Sequence, residues 1–157
     1  MNSNQHLKVN LVLVTKADLD LGVFEEAASR LHVPMAVTAC RFVWQAVGVL
    51  NHGSNPAILA VSCDSDDDDS PLTAAKSIKA DPILKPIPLL VFTREMKHRR
   101  VREWYDQNIC CVIRRPADPM EDSRVVWECL RFWTEVAQLP ELARLVGDYS
   151  QRTIVDP

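Results

Sequence analysis

The chain has few of the residues that mark the common enzyme sites. Only four of its 157 residues are glycine, and neither glycine-rich phosphate-binding pattern, GxGxxG or GxxxxGK[ST], occurs. Its five cysteines include no CxxC pair, and its four histidines are scattered without metal-ligand spacing. These absences argue against a nucleotide-binding or metal enzyme, and we predict that the protein is not an enzyme and needs no cofactor.

Long apolar runs are missing as well. No stretch approaches the length of a bilayer span, and residues 1–8 lack the apolar core of a secretory signal, so a cytoplasmic location is expected. The net charge of -3 gives no global attraction to nucleic acid or to an anionic membrane. With 47% hydrophobic residues, a chain of this length predicts one soluble globular domain.

What the chain does have is a regular alternation of short apolar runs and helical patterns. The runs are typical of buried strands and lie at residues 8–14, 34–40, 57–62, 87–93 and 109–113. The helical patterns lie at residues 19–33, 41–50, 70–82, 94–108 and 118–138. This alternation predicts an α/β fold with five parallel strands in the flavodoxin-like order 2-1-3-4-5 and helices on both faces. Residues 1–140 are expected to form this domain, and residues 141–157 a C-terminal extension.

In such a sheet the functional crevice lies at the carboxyl ends of the strands, so the residues that end or follow each strand are the candidates for a site. The loop after the third strand is the most conspicuous of these, because it carries five aspartates within residues 64–69. Such a loop could hold a divalent cation, but a run of like charges is more often a solvated turn.

Four segments have the order and spacing of one known family. They are LVLVTKADLD at the first strand, IKADPILKPIPLLVFT up to the fourth strand, YDQNICCVIRRPADP around the fifth and LRFWTEVAQLP in the last helix. Together they resemble the receiver domain of two-component response regulators, and most of all the stand-alone receivers that partner phytochrome-type histidine kinases. The resemblance covers about residues 7–140 and implies the receiver fold and a role in phosphorelay signalling.

The resemblance also implies what an active site should contain. An active receiver accepts a phosphoryl group on an aspartate, with Mg²⁺ held by carboxylates and a lysine paired with a phosphoryl oxygen. By the family pattern, the acidic pair falls on Thr15 and Lys16, and the acceptor aspartate on Ser62. The hydroxyl of the fourth strand is kept as Thr93, which we expect to face Ser62.

The fifth strand departs from the family pattern too. The lysine position holds Arg115, followed by the expected Pro116, and the switch-aromatic position holds Val112. The resemblance implies a cis peptide bond between Arg115 and Pro116. We expect Lys16 and Arg115 to face a pocket with no carboxylate at the acceptor position, which would favour an anion over Mg²⁺.

These departures predict a degenerate receiver, which binds a histidine kinase or another signalling protein without accepting phosphate. Two alternatives stay open. The loop after Ser62 is one residue longer than the common family spacing, so Asp64 could be a shifted acceptor that works with Mg²⁺, with Asp18 or Asp20 as the only other carboxylate expected nearby. In the other alternative, Lys16 and Arg115 bind a small anion.

The last helix is apolar over two faces, which favours burial on one side by a partner. One stripe can cover the sheet and consists of Val126, Leu130, Trp133 and Ala137. The second consists of Val125, Cys129, Phe132 and Val136, with Trp127 beside it. Phytochrome-associated receivers are similar in dimerising through helix 4, strand 5 and helix 5, so we predict a symmetric homodimer through this region. Alternatively, residues 140–157 fold back over this face.

The fourth helix is strongly basic. Its segment, residues 93–104, contains Arg94, Lys97, His98, Arg99, Arg100 and Arg102. This could be a docking face for an acidic partner or for nucleic acid, but Glu95 and Glu103 dilute it, and nothing resembles a DNA-binding module. We interpret it as a solvated helix surface, although protein docking there would suit the family, and we expect no nucleic-acid partner.

Overall fold

Five parallel strands form a single sheet in the order β2-β1-β3-β4-β5, and the predicted α/β fold and strand order are confirmed. The computed structural model describes residues 8–53, 56–65 and 67–140. Each strand is followed by a helix, and the last helix continues into one π-helical turn at Phe132–Val136. The elements are β1 (Val9–Val14), α1 (Asp20–Ser29), β2 (Met35–Cys40), α2 (Val43–Asn51), β3 (Ala57–Cys63), α3 (Ser70–Lys79), β4 (Leu89–Thr93), α4 (His98–Asp106), β5 (Cys111–Arg114) and α5 (Pro119–Arg131).

The central strands are the apolar runs that indicated strands in the sequence. Every residue of β3 and β4 is buried, and so is every residue of β1 except Asn10. The edge strands β2 and β5 are only partly buried. Strands covered on both faces need apolar side chains at every position, which is why these runs are continuous and not alternating.

Alternate side chains of each strand supply two hydrophobic cores, one on each face of the sheet. On one face, Leu11 and Leu13 join the core that includes α1 and α5. On the other, Val12 and Val14 join the core formed with α2 and α3, where the fully buried Trp104 of α4 also packs. Each fully buried side chain of this kind contributes about 1.5–3 kcal/mol to stability.

The first and fourth helices are shorter than the sequence predicted. The first was expected over residues 19–33 and ends at Ser29. The fourth was expected over residues 94–108 but begins at His98, because the Thr93 hydroxyl donates to the carbonyl of Glu95 over 2.7 Å and Lys97 has extended backbone angles. The residues between β4 and α4 therefore form a turn at the carboxyl edge of the sheet.

The sequence predicts Ser70 as the N-cap of the third helix and Asp118 as the start of the last, and the structure agrees only with the second. Asp118 caps α5 as expected, since its side chain accepts from the backbone N–H of Glu121. Ser70, in contrast, is not the cap of α3: the cap position is Asp69, and the Ser70 N–H donates to the carboxylate of Asp68 over 2.9 Å. The predicted cap therefore lies one residue too late in the chain, because the carboxylate of Asp68 already accepts from the N–H of Ser70.

The peptide bond between Arg115 and Pro116 is trans, so the predicted cis bond is wrong. A bond before proline has only a slight intrinsic preference for trans, so the contacts on either side decide its geometry. Here the Arg115 N–H donates to the carbonyl of Thr93 over 2.8 Å, and the Pro116 carbonyl accepts from Arg94 over 3.0 Å. These two hydrogen bonds hold the backbone on either side of the bond between Arg115 and Pro116.

Within the described residues, no helix has both the length and the apolar character needed to cross a membrane. The expected C-terminal extension, residues 141–157, lies outside the described residues, and the domain boundary at residue 140 stays a prediction.

Candidate functional site

The candidate site lies at the carboxyl edge of the sheet, where the ends of β1, β3 and β5 meet the first turns of α1 and α5. Thr15 directly follows β1, Ser62 is the penultimate residue of β3, and Arg115 directly follows β5. Val14 pairs in register with Val61, which places Thr15 beside Ser62. The structure thus brings three of the predicted positions together.

Arg115 is the centre of this site. Its side chain is only 1% exposed and forms four hydrogen bonds. Nε and Nη2 donate to the two carboxylate oxygens of Asp122 over 2.8 and 2.7 Å, and Nη1 donates to Asp20 over 2.8 Å and to Ser62 over 3.0 Å. Two carboxylates and one hydroxyl therefore surround the guanidinium, with the Phe24 ring 5.6 Å from its central carbon. A planar fork of donors suits such bidentate pairing, which an ammonium group could not reproduce.

Asp20 enters the site from the first turn of α1. Its Oδ2 accepts from the hydroxyls of Thr15 (2.7 Å) and Ser62 (2.8 Å), while Oδ1 accepts from Arg115. Burial by itself would raise the pKa of Asp20, but the hydrogen bonds from Arg115, Thr15 and Ser62 and the charge of Arg115 together lower it below its ordinary value. Asp20 is thus a carboxylate held in its ionised form.

Arg115 does not face an open pocket as expected: the acceptor position, Ser62, holds no carboxylate, but Asp20 and Asp122 already bind the guanidinium. Burial would lower the pKa of Arg115, but its bonds to Asp122 and Asp20 and their charges raise it. The alternative that Arg115 and Lys16 together bind a small anion loses its basis, because the guanidinium is already bound by two anions. Lys16 also lies apart from it, with a 61% exposed side chain whose nearest charged partner is Asp68 at 3.9 Å.

Asp20 and Asp122 are the site residues that sequence reasoning underestimated or missed. Asp20 was considered only as a neighbour of Asp64, and Asp122 was not considered. Both carboxylates lie in the first turn of a helix that follows a strand of the site, where acidic residues are favoured. That position in a strand–turn–helix pattern is the signal that could have identified them.

Asp64, the alternative acceptor, lies outside the buried network. Its side chain is 76% exposed, and its carboxylate is 3.6 Å from Nε of Arg94. Arg94 also lies 3.5 Å from Asp122, so it connects the loop after β3 to the buried network. A cleft of about 190 Å³ separates Asp64 from the network; its lining includes Thr15, Lys16, Asp20, Ser62, Asp64 and Asp68.

Thr93 ends the central strand β4, as predicted, but it does not face Ser62. The register pairs Thr93 with Cys63 and Ser62 with Phe92. Because successive side chains of a strand point to opposite faces, Thr93 and Ser62 lie on opposite faces of the sheet. The expected pairing of these two hydroxyls is therefore wrong, and the Thr93 hydroxyl instead shapes the turn before α4 through its bond to Glu95.

Val112, the predicted switch-aromatic position, is a half-buried residue of the edge strand β5. Its N–H donates to the hydroxyl of Tyr105 over 3.0 Å. An aromatic side chain thus lies beside this position after all, but it comes from α4 and binds the backbone.

The residues predicted to form a partner face on α5 do not all lie on the same side of the helix. Phe132 and Val136 are 49% and 64% exposed. Burial and the neighbouring Cys111 raise the pKa of the Cys129 thiol to about 12. Because Cys111 is the first residue of β5, the side of α5 that carries Cys129 lies beside β5. Trp127 lies on the other flank, where its ring packs 5.5 Å from the Arg30 guanidinium of α1, and we therefore remove it from the predicted face.

No family model and no curated protein matches the chain, but solved structures do. The phosphorylated cyanobacterial phytochrome response regulator RcpA is 26% identical, with a TM-score of 0.73, 86% of this chain covered and 99% of its own. The chain has the receiver fold. The Mn²⁺-bound response regulator Rcp1 is 20% identical, with a TM-score of 0.71 and coverages of 83% and 98%. A receiver domain from Rhodospirillum rubrum is 18% identical, with a TM-score of 0.71 and coverages of 84% and 97%.

Some of these receivers hold a divalent ion: Rcp1 was crystallised with Mn²⁺, and the receiver domain of the sensor histidine kinase PA1611 with magnesium in its active-site cleft. The donor set of the present chain does not fit such an ion. Asp20 and Asp122 are already bound by Arg115, and the ammonium group of Lys16 stands at the rim of the cleft. Mg²⁺ would have to compete with a buried guanidinium for both carboxylates.

Proposed function

We propose that the protein is a signalling module with a receiver fold, which acts through protein–protein contacts and does not accept a phosphoryl group. Its likeness to response regulator receiver domains supports a role in two-component signalling. The observation that carries the proposal is the closed network of Arg115 with Asp20, Asp122 and Ser62. Where the family places an acceptor aspartate, this chain has a hydroxyl that already donates to Asp20.

Phosphorylation at Ser62 would be opposed by the charges around it. Ser62 is 7% exposed, and its Oγ lies 2.8 Å from one oxygen of Asp20. A phosphoryl group on that oxygen would add about two negative charges beside Asp20 in a low-dielectric site. The guanidinium of Arg115, which donates to Ser62, is already shared by two carboxylates.

The direct test is incubation with acetyl phosphate and Mg²⁺, followed by intact-mass measurement under conditions that preserve acyl phosphates. An unchanged mass supports the proposal, provided that an active receiver gains a phosphoryl group in the same buffer. A gain of one phosphoryl group that persists in Asp64→Asn and disappears in Ser62→Ala would contradict it.

A second candidate function is phosphoryl acceptance at Asp64. Two observations favour it: the carboxylate is largely exposed, and it lines the same cleft as Asp20 and Ser62. The same mass experiment separates the two candidates, because acceptance at Asp64 predicts a phosphoryl gain that is lost in Asp64→Asn and kept in Ser62→Ala.

The proposed module also has a surface suited to a second copy of the chain. The exposed flank of α5, which adjoins the edge strand β5, presents Phe132 and Val136 to solvent, with Val125 and Cys129 partly buried beside them. Apolar side chains as large as Phe132 are stabilised when a partner removes them from water. We propose a symmetric homodimer through α4, β5 and α5, in which this flank is covered by its equivalent in the second protomer.

A further inference from the structure

The charge of the chain is distributed very unevenly. Residues 94–102 contain five Lys and Arg residues and one Glu, whereas the whole chain carries a net charge of -3. The basic face of α4, as we define it, consists of Lys97, Arg99, Arg100 and Arg102. A basic face on an acidic protein attracts anionic partners locally without drawing the whole molecule to polyanions.

Part of this face already binds an acidic segment of the same chain. Arg100 donates to the carboxylate of Asp69 over 2.9 Å and lies 3.5 Å from the carbonyl of Asp68. A pocket of about 330 Å³ lies between the loop after β3 and the start of α4. Its lining includes Asp67, Lys97, Arg99, Arg100 and Glu103. The internal contact shows the chemistry that this face recognises, namely the side-chain carboxylates and main-chain carbonyls of an acidic segment.

Arg99 and Arg102 remain available for a second such segment. Both are exposed, and neither forms an ion pair with a carboxylate among residues 8–53, 56–65 and 67–140. They are three residues apart on a helix, so their guanidinium groups can extend from the same side. Neither contributes to the buried cores, and their replacement should leave the fold intact.

We propose that the basic face of α4 binds an acidic segment of a partner protein, with Arg99 and Arg102 as the principal contacts and Asp67, Asp68 and Asp69 as an internal competitor. This inference rests on the proposed function as an interaction module and names the chemistry of its partner. An acidic peptide is a more suitable ligand than nucleic acid, because the internal ligand of Arg100 is itself a peptide segment, bound through a side-chain carboxylate and a main-chain carbonyl.

The test is fluorescence anisotropy with a fluorescein-labelled peptide of twelve Asp, Glu and Ser residues. The comparison probes are a peptide with Asn and Gln in place of the acids, and a single-stranded oligonucleotide of the same length. Each is titrated with the wild type, with Arg99→Glu/Arg102→Glu, and with the control Lys76→Glu/Lys85→Glu, whose exposed lysines lie elsewhere and change the net charge equally. Circular dichroism verifies that all three proteins are folded.

We expect the acidic peptide to bind the wild type and the control alike, and the Arg99→Glu/Arg102→Glu variant about tenfold more weakly, since each exposed ion pair contributes up to about 1 kcal/mol. Asp69→Asn should bind the peptide two- to threefold more tightly because its own loop competes less. Absent peptide binding, equal losses in both double variants, or tighter binding of the oligonucleotide would overturn the inference. The dimerisation and phosphorylation tests use substitutions at Phe132, Ser62 and Asp64 and different readouts, so failure here is distinguishable from failure of the proposed function.

Discussion

The guanidinium of Arg115 donates a hydrogen bond of 2.8 Å to Oδ1 of Asp20, a residue ninety-five positions earlier in the chain. This bond joins the end of β5 to the first turn of α1 across the carboxyl edge of the sheet. Together with the two bonds from Arg115 to Asp122, it cross-links the first turns of α1 and α5 at this edge.

Replacement of Arg115 should destabilise the fold strongly. Arg115→Met leaves Asp20 and Asp122 buried without a countercharge, so we expect the free energy of unfolding to fall by about 3–5 kcal/mol. Arg115→Lys keeps the charge but loses the fork, and about 1–3 kcal/mol should be lost. Urea denaturation measures both. The exposed Arg124→Met is the control and should leave the midpoint unchanged; equal effects at the two sites would show that the network has no special role.

The contribution of Asp20 to stability should depend on pH. Its folded-state pKa is lowered from the ordinary value of 3.8, so its stabilisation is complete above that range and is lost as the pH falls through the folded-state pKa. Asp20→Asn should therefore be less stable than the wild type at pH 7 by about 1–3 kcal/mol, with a difference that shrinks below pH 4. Urea denaturation at pH 7, 4 and 3 measures this, with the exposed Asp18→Asn as control. A difference that stays constant with pH would refute the assigned ionisation.

Mg²⁺ binding should be absent from the wild type and should return when carboxylates are restored. We expect no heat of binding in a calorimetric titration of the wild type with millimolar Mg²⁺. Ser62→Asp alone should behave in the same way, because Lys16 still opposes a cation. Thr15→Asp/Lys16→Asp/Ser62→Asp should bind, since it supplies three oxygen ligands at the cleft. Equal binding by the wild type and the triple variant would contradict our account of the site.

Dimerisation should depend on the exposed flank of α5. Phe132→Glu places a charge at the centre of the proposed interface and should convert a dimer to a monomer in size-exclusion chromatography with light scattering. Leu19→Glu is the matched control, because Leu19 is 86% exposed and lies at the start of α1. A monomeric wild type, or equal dissociation of both variants, would exclude this interface.

Much of the fold was predictable because it depends on local patterns. Continuous apolar runs such as residues 57–62 and 87–93 can be buried only in strands covered on both faces, and the helical patterns between them require parallel pairing. The cap at Asp118 was predictable for a similar reason, since capping is decided within four residues. The start of α4 was not, because it depends on where the Thr93 hydroxyl finds an acceptor.

The sequence by itself determined that Thr15, Lys16, Ser62 and Arg115 stand at the edge of the sheet and that Ser62 cannot be an acceptor carboxylate. Only the tertiary structure decided what surrounds Arg115. Asp20 and Asp122 are distant in the chain from most of the site, and their side chains meet the guanidinium only after α1 and α5 pack on the same face of the sheet. A buried charge must be compensated wherever the fold places it, and the compensating groups are defined by spatial and not sequential distance.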